Sequence, residues 1–244
     1  MPSGSHERLF RQENAHWWCR AVRRGALDAF RRHGKGPLSL VIDAGCGSGG
    51  MLRELAGYKA VFGVELAPEA IEFAARQTPH PILRGNVRQL PFLNNVADVV
   101  MSLDVLCSIE GDFEVETILE FRRALRPGGL LMLNLPAHKF MAGAHDRWMG
   151  VRRRYESHEV RNFIAGADMR LLEIFHWNMF LLPAGYIIRK LTDRRSDKPH
   201  SDLDVTPAWC DPLLYRFMMI DISFCRLISS PVGASIFCVA QKPE

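Results

Sequence analysis

An apolar run that breaks directly into a glycine-rich turn constrains this chain more than any other feature. Leu40, Val41 and Ile42 form a short apolar stretch bounded by turn residues, the pattern of a buried parallel strand. Asp43 follows at the carboxyl end of that strand, the edge where open α/β sheets hold their ligands. Gly45, Gly47 and Gly49 remove the side chains that would keep a ligand away from the backbone, and Cys46 reads as a small residue between them. Residues 51–55 read as the next helix, with its free N–H groups facing the turn.

A second apolar run, Val61-Phe62-Gly63-Val64, ends at Glu65. A carboxylate at the tip of the next strand suits a ribose diol, because it accepts from both hydroxyls. The unit is therefore a nucleoside-binding α/β unit. Gly45-Cys46-Gly47-Ser48-Gly49-Gly50 also satisfies the dinucleotide spacing G-x-G-x-x-G, so the glycines alone do not separate the two ligand classes.

The downstream segments do separate them. Residues 41–49 look like the first motif of the class I S-adenosylmethionine (SAM)-dependent methyltransferases, residues 63–68 like the second and residues 85–92 like the third. Residues 97–102 resemble that family's fourth strand, and Leu125-Arg126-Pro127-Gly128-Gly129 resembles the turn before its fifth. The resemblance implies that Asp43, Gly45, Cys46 and Gly47 lie against the methionine part of SAM, Glu65 takes the ribose, and Asn86 with Val87 lies beside adenine. Leu66 and Ser102 complete that expected set. It also implies SAM as cofactor, S-adenosylhomocysteine as product and no metal.

His16-Trp17-Trp18 near the start and His145-Asp146 followed by Arg153-Arg154-Tyr155 resemble a bacterial small-molecule subgroup of these enzymes. In that light His145 is the expected general base, oriented by Asp146, since an imidazole titrates near neutral pH. The other reading of the same residues is a structural loop network. Tyr155 is a candidate hydroxyl donor to substrate, and residues 152–154 could bind an anionic acceptor or form a solvated charge run. Trp17 and Arg20 are expected in a lid over SAM, with an aromatic ring near the sulfonium; the alternative is a helix docked on the sheet by its tryptophans.

Two departures stand out. Asn86 occupies a position where an acid is common, and Ser108 one where relatives often show histidine. Both leave room for other SAM chemistry, such as an intramolecular displacement, or for a non-catalytic SAM-binding protein.

The rest of the chain fits one domain with an insertion. An α/β, doubly wound, mostly parallel seven-stranded Rossmann-like sheet is expected, with strands near 81–83, 97–102, 130–135, 171–175 and 234–240 beyond the first two. An N-terminal helical cap spans 1–36, the SAM-binding domain 37–177 and 233–244, and a helical insertion 178–232, read as a lid over the pocket. The helix before the glycine unit is expected to bury Val22, Ala26, Ala29 and Phe30 with arginines opposite, and the helix over 114–125 to bury Val115, Ile118, Leu119 and Leu125. Apolar stretches at 179–191 and 213–228 flank a polar linker, 192–204, and read as core helices with a solvated basic end rather than a membrane-surface element.

A net charge of +4 on 244 residues gives no electrostatic footprint for nucleic acid. The six cysteines contain no C-x-x-C pair, so neither a zinc site nor a disulfide framework is indicated, and a reducing cytoplasm is the expected compartment. The partner implied is a small-molecule acceptor methylated at oxygen or nitrogen, in a biosynthetic setting. Glu65→Ala is expected to weaken SAM binding by roughly 1–3 kcal/mol; calorimetry showing wild-type affinity would refute the ribose assignment.

Overall fold

The computed structural model describes residues 10, 14–34, 40–195 and 207–244. Seven strands form one sheet: β1 (Val41–Ala44), β2 (Val61–Glu65), β3 (Ile82–Arg84), β4 (Ala97–Leu103), β5 (Leu125–Pro136), β6 (Arg170–Trp177) and β7 (Ser235–Gln241). Their order is β3-β2-β1-β4-β5-β7-β6. Every neighbouring pair is parallel except those of β7, which runs antiparallel between β5 and β6. The expected doubly wound α/β sheet is therefore present. The chain order reverses at β1, so the carboxyl ends of β1 and β4 open the crevice that such sheets use for ligands.

Helices cover both faces: α1 (Trp17–His33), α2 (Gly50–Glu54), α3 (Pro68–Ala75), α4 (Glu114–Ala124), α5 (Ala144–Met149), α6 (Ser157–Gly166), α7 (Leu182–Arg195) and α8 (Asp211–Leu227). The two-residue period of a strand sends alternate side chains to opposite faces. Ile42, Val100, Leu131 and Leu133 accordingly join a core with Ile118 and Phe121 of α4 and Val160 and Ile164 of α6. Val41, Val99, Met101 and Met132 join a second core with Ala26, Leu27 and Phe30 of α1 and Met218, Ile222 and Cys225 of α8.

Two expectations are corrected. The α4 stripe runs through Thr117, Ile118, Phe121 and Ala124, while Leu119 is exposed, because the helix lies rotated to seat Phe121 against the sheet. Arg23 is buried on α1 rather than solvated with the other arginines, its guanidinium donating to the carbonyl of Asn14 at 2.9 Å. α8 packs on α1 and β6. Among the described residues, neither α7 nor α8 contributes a lining side chain to the cleft described below. Part of the expected linker, residues 196–204, lies outside the described residues.

One buried charge holds the insertion to the sheet. Asp221 of α8 is fully buried and accepts from the backbone N–H groups of Asn178 (2.6 Å), Met179 (3.0 Å) and Phe180 (3.0 Å). Asn178 has a φ of 58°, the turn that redirects the chain from β6 to α7. Asp221→Ala leaves one buried and two partly buried donors without their acceptor, and the expected loss is roughly 3 kcal/mol. A thermal melt reads this directly, and an unshifted Tm would show that Asp221 does not hold the turn.

Candidate active site

β1 and β2 end side by side, with Asp43 paired to Gly63 and Ala44 to Val64. The turn after β1 is tied to β2 because the N–H groups of Gly45 and Cys46 both donate to the Val64 carbonyl, at 2.8 and 3.0 Å. Gly45 takes a φ of 85°, and a Cβ there would also run into the Val105 side chain. Glycine is required at that position both by backbone handedness and by space. Gly63 is equally confined: a Cβ would lie 2.7 Å from Cys46 Sγ and 2.8 Å from Leu52. The β1 turn can thus sit against β2 only while both glycines are present.

Glu65 closes the turn from the other side. Its carboxylate accepts from the N–H of Gly47 at 2.9 Å, and from those of Leu66 and Ala67 at 2.7 and 2.9 Å. Asp43 is buried beside it, and its Oδ2 has no hydrogen-bond partner among the described residues. Burial first, and the Glu65 charge second, raise the Asp43 carboxyl to about 7; Arg23 pulls it the other way. Burial and the same carboxylates push the Cys46 thiol up, so it remains neutral. These residues line a cleft of about 850 Å³. A buried acceptor without a partner, next to a second carboxylate, fits a cation that donates hydrogen bonds, as the sulfonium and ammonium of SAM together provide.

A third carboxylate enters from the end of β4. Asp104 sits at a φ of 59° and lines the cleft. Asn134 of β5 donates its Nδ2 to both Asp104 oxygens, at 2.9 and 3.0 Å. The Asn134 oxygen accepts from Trp177 Nε1 at 2.9 Å. An indole N–H can only donate, so it fixes which end of the amide faces Asp104. Trp18 stacks on Trp177 with centroids 4.5 Å apart and lines the cleft. Burial raises the Asp104 carboxyl to about 6 against the lowering effect of the Asn134 hydrogen bonds.

Of the residues expected from sequence, Asp43, Gly45, Cys46, Gly47, Glu65, Leu66, Asn86, Val87 and His145 line this cleft together. Asn86 spends its Oδ1 on the Arg88 N–H at 2.9 Å, closing its own turn. Trp17, Arg20, Ser102, Asp146 and Tyr155 do not line it. Trp17 N–H and the Arg20 guanidinium bind the two oxygens of Asp211, so α1 presents Trp18, Cys19 and Arg23 instead. Ser102 is fully buried.

Asp146, expected beside His145, is engaged by a buried guanidinium. Asp146 takes a bidentate contact from buried Arg154, at 2.6 and 2.7 Å, because that guanidinium has no water to meet. The Tyr155 hydroxyl donates to Glu114 at 3.1 Å, inside the core. Arg153 is held by Asp112, Glu114 and Glu159, whereas Arg152 lines the cleft and pairs with Glu110 at 2.7 Å. Asp104, Asn134 and Trp177 were not legible as a site from sequence. A non-glycine residue at positive φ marks Asp104 only once the backbone is known.

Residues 42–133 match the methyltransferase-domain family profile. A curated protein of Encephalitozoon cuniculi, named as a methyltransferase, is 29% identical over 138 residues. That match covers 54% of this chain and 64% of the relative, less than two thirds of its length. A methyltransferase solved in complex with the Haloferax volcanii Trm112 activator superposes with a TM-score of 0.64 at 21% identity, over 99% of this chain and 95% of that one. A SAM-dependent methyltransferase of Thermotoga maritima gives 0.61 at 14% identity, over 98% and 95%. Residues 42–133 thus resemble a methyltransferase domain, and the chain shares the Rossmann-like fold of these solved methyltransferases.

The raised Asp43 carboxyl makes the charge of the cleft depend on pH. A bound cation favours the ionised carboxylate, so SAM affinity is expected to rise by up to about tenfold per pH unit as pH climbs towards 7, then level off. Titration calorimetry at stepped pH measures this. Asp43→Asn should flatten the profile, and a flat wild-type profile would remove Asp43 from the contact.

Proposed function

We propose that this chain transfers the methyl group of SAM to an oxygen or nitrogen of a small-molecule acceptor held beside Asp104. The observation that carries the reading is the acidic end of the cleft, where Asp43, Glu65 and Asp104 converge on one space. Asp43 would hold the ammonium of SAM, the backbone at Gly45 and Gly47 its methionine part, Glu65 the ribose, and Asn86 with Val87 the adenine. When bound, SAM supplies a methyl on a sulfonium, a leaving group good enough that alignment carries most of the acceleration.

The remaining task falls to the chain's own residues. Asp104, titrating at about 6, is ionised at neutral pH and placed to take the acceptor's proton as methylation proceeds. Asn134 holds both of its oxygens, and the Trp177 indole holds Asn134. Trp18 walls the cleft from α1, while His145 and Met149 wall it from α5, where they would contact the acceptor. Asp146 and Tyr155 act at a distance from the acceptor, by fixing Arg154 and Glu114 behind that wall.

Incubation with SAM and a panel of hydroxyl and amine metabolites should give a product heavier by one methylene unit. Asp104→Asn is expected to lower kcat by about 10²–10⁴-fold and to remove an inflection near pH 6 while keeping SAM affinity. Intact SAM with every acceptor, or release of methylthioadenosine in place of a methylated product, would sink the methyl-transfer reading. An unchanged pH profile in the variant would reject Asp104 as the base.

A further inference from the structure

The helices of the insertion have a second apolar face that stays exposed among the described residues. Along α8, Leu213, Phe217, Ile220, Phe224 and Leu227 recur at intervals of four and three residues, so they share one side of the helix. All five are exposed, Leu213, Ile220 and Leu227 at 67%, 65% and 82%. The opposite side, through Met218, Asp221, Ile222 and Cys225, is the one buried against the sheet. Trp209, just before α8, is 78% exposed. On the neighbouring helix Ile187, Ile188 and Leu191 are also exposed. Phe180, ahead of α7, lies 6.0 Å from the Phe217 ring and 5.6 Å from that of Phe224, which brings the start of the insertion onto the same surface.

The described charges that are exposed on this face are cations. Lys190, Arg216 and Arg226 are exposed on these helices. Over residues 180–191 and 207–228 the acids are Asp211 and Asp221. Asp211 is paired with Arg20 at 3.1 Å, and Asp221 is fully buried. Among these described residues no carboxylate stands free to neutralise a cation approaching the face. A second copy docked symmetrically would set cations against cations. No helix among the described residues is long and apolar enough to cross a membrane. An apolar stripe with an exposed tryptophan and flanking arginines and lysine is the composition of a helix that lies in the plane of a bilayer surface.

We propose that the exposed face of α7 and α8 docks on an anionic membrane surface, with the α8 stripe entering the acyl boundary and Lys190, Arg216 and Arg226 meeting lipid phosphates. The same helices are joined to two walls of the cleft. Arg189 of α7 donates to the Met141 carbonyl at 3.0 Å and lies 3.6 Å from Asp146 of α5. Asp211 of α8 holds Trp17 and Arg20, next to the cleft residue Trp18. Docking therefore places the methyltransferase cleft close to the lipid surface, and the proposal stands independently of which acceptor is methylated.

The test is flotation of the full chain with phosphatidylcholine vesicles, with and without phosphatidylserine, at low and high salt. Wild type should float with the anionic vesicles and lose most of that binding in high salt. The triple variant Leu213→Ser, Ile220→Ser, Leu227→Ser changes exposed positions only, so its circular dichroism and SAM affinity should match wild type while vesicle binding falls at least about tenfold. Arg216→Glu with Arg226→Glu should also abolish anionic binding. Wild type that stays unbound, that floats equally with neutral vesicles, or whose binding survives the serine substitutions would overturn the proposal. Concentration-dependent dimerisation abolished by the same serines, without vesicle binding, would reassign the face to a contact between copies.

Discussion

A carboxylate placed in a low-dielectric corner beside another carboxylate sets the terms for the rest of this molecule. Asp43 lies where β1 ends and cannot move away, because the Gly45 and Cys46 amides are bonded to β2. Its raised titration point is a direct cost to the fold. A folded carboxyl that titrates at about 7, against an ordinary value of 3.8, favours the folded state fully only below that ordinary value. That contribution is lost as pH rises through 7. Arg23, itself buried, offsets part of the cost. Under the proposed function the remainder would be recovered by a bound cation, which suits the corner to the filled state.

The glycines and hydrogen bonds nearby follow from that placement. Glu65 is drawn back onto three backbone amides, which stiffens the turn and adds its charge to the corner. Substitution of Glu65 therefore acts on the turn as well as on any ribose. The Trp18, Trp177, Asn134 and Asp104 series is built on a different rule. Each member has a single way to satisfy the next, ending in a carboxylate held by one amide nitrogen. Residues from α1, β6, β5 and the end of β4 thereby agree on one side-chain orientation at the cleft.

How much of this was legible in the sequence depended on range. The β1 turn, Glu65 and the parallel strands could be read because each rests on neighbours within a few residues: an apolar run, a glycine and an acid at the strand tip. The α4 stripe was misplaced because Leu119 and Phe121 are both apolar, and only packing against the sheet chooses between them. Asp146 looked like the orienter of a catalytic histidine and Tyr155 like a hydroxyl donor to substrate, yet Asp146 binds Arg154 and Tyr155 binds Glu114, and no local pattern shows those partners. Asp104 was passed over since its partner lies one strand away, and that partner's orientation is set from β6. The α8 segment was read as core because both of its faces are apolar, and periodicity does not say which face finds a neighbour.

The antiparallel strand has a consequence for the order of assembly. β7 lies between β5 and β6, so β6 has no place in the sheet until a strand far downstream has been made. During synthesis β1 to β5 can pair as they emerge, whereas β6 and the two helices after it must wait, with apolar surface uncovered. Closure of the sheet then takes place in a single late event of long sequence separation, the slowest kind of contact to form. The nascent chain is most in need of protection in that interval.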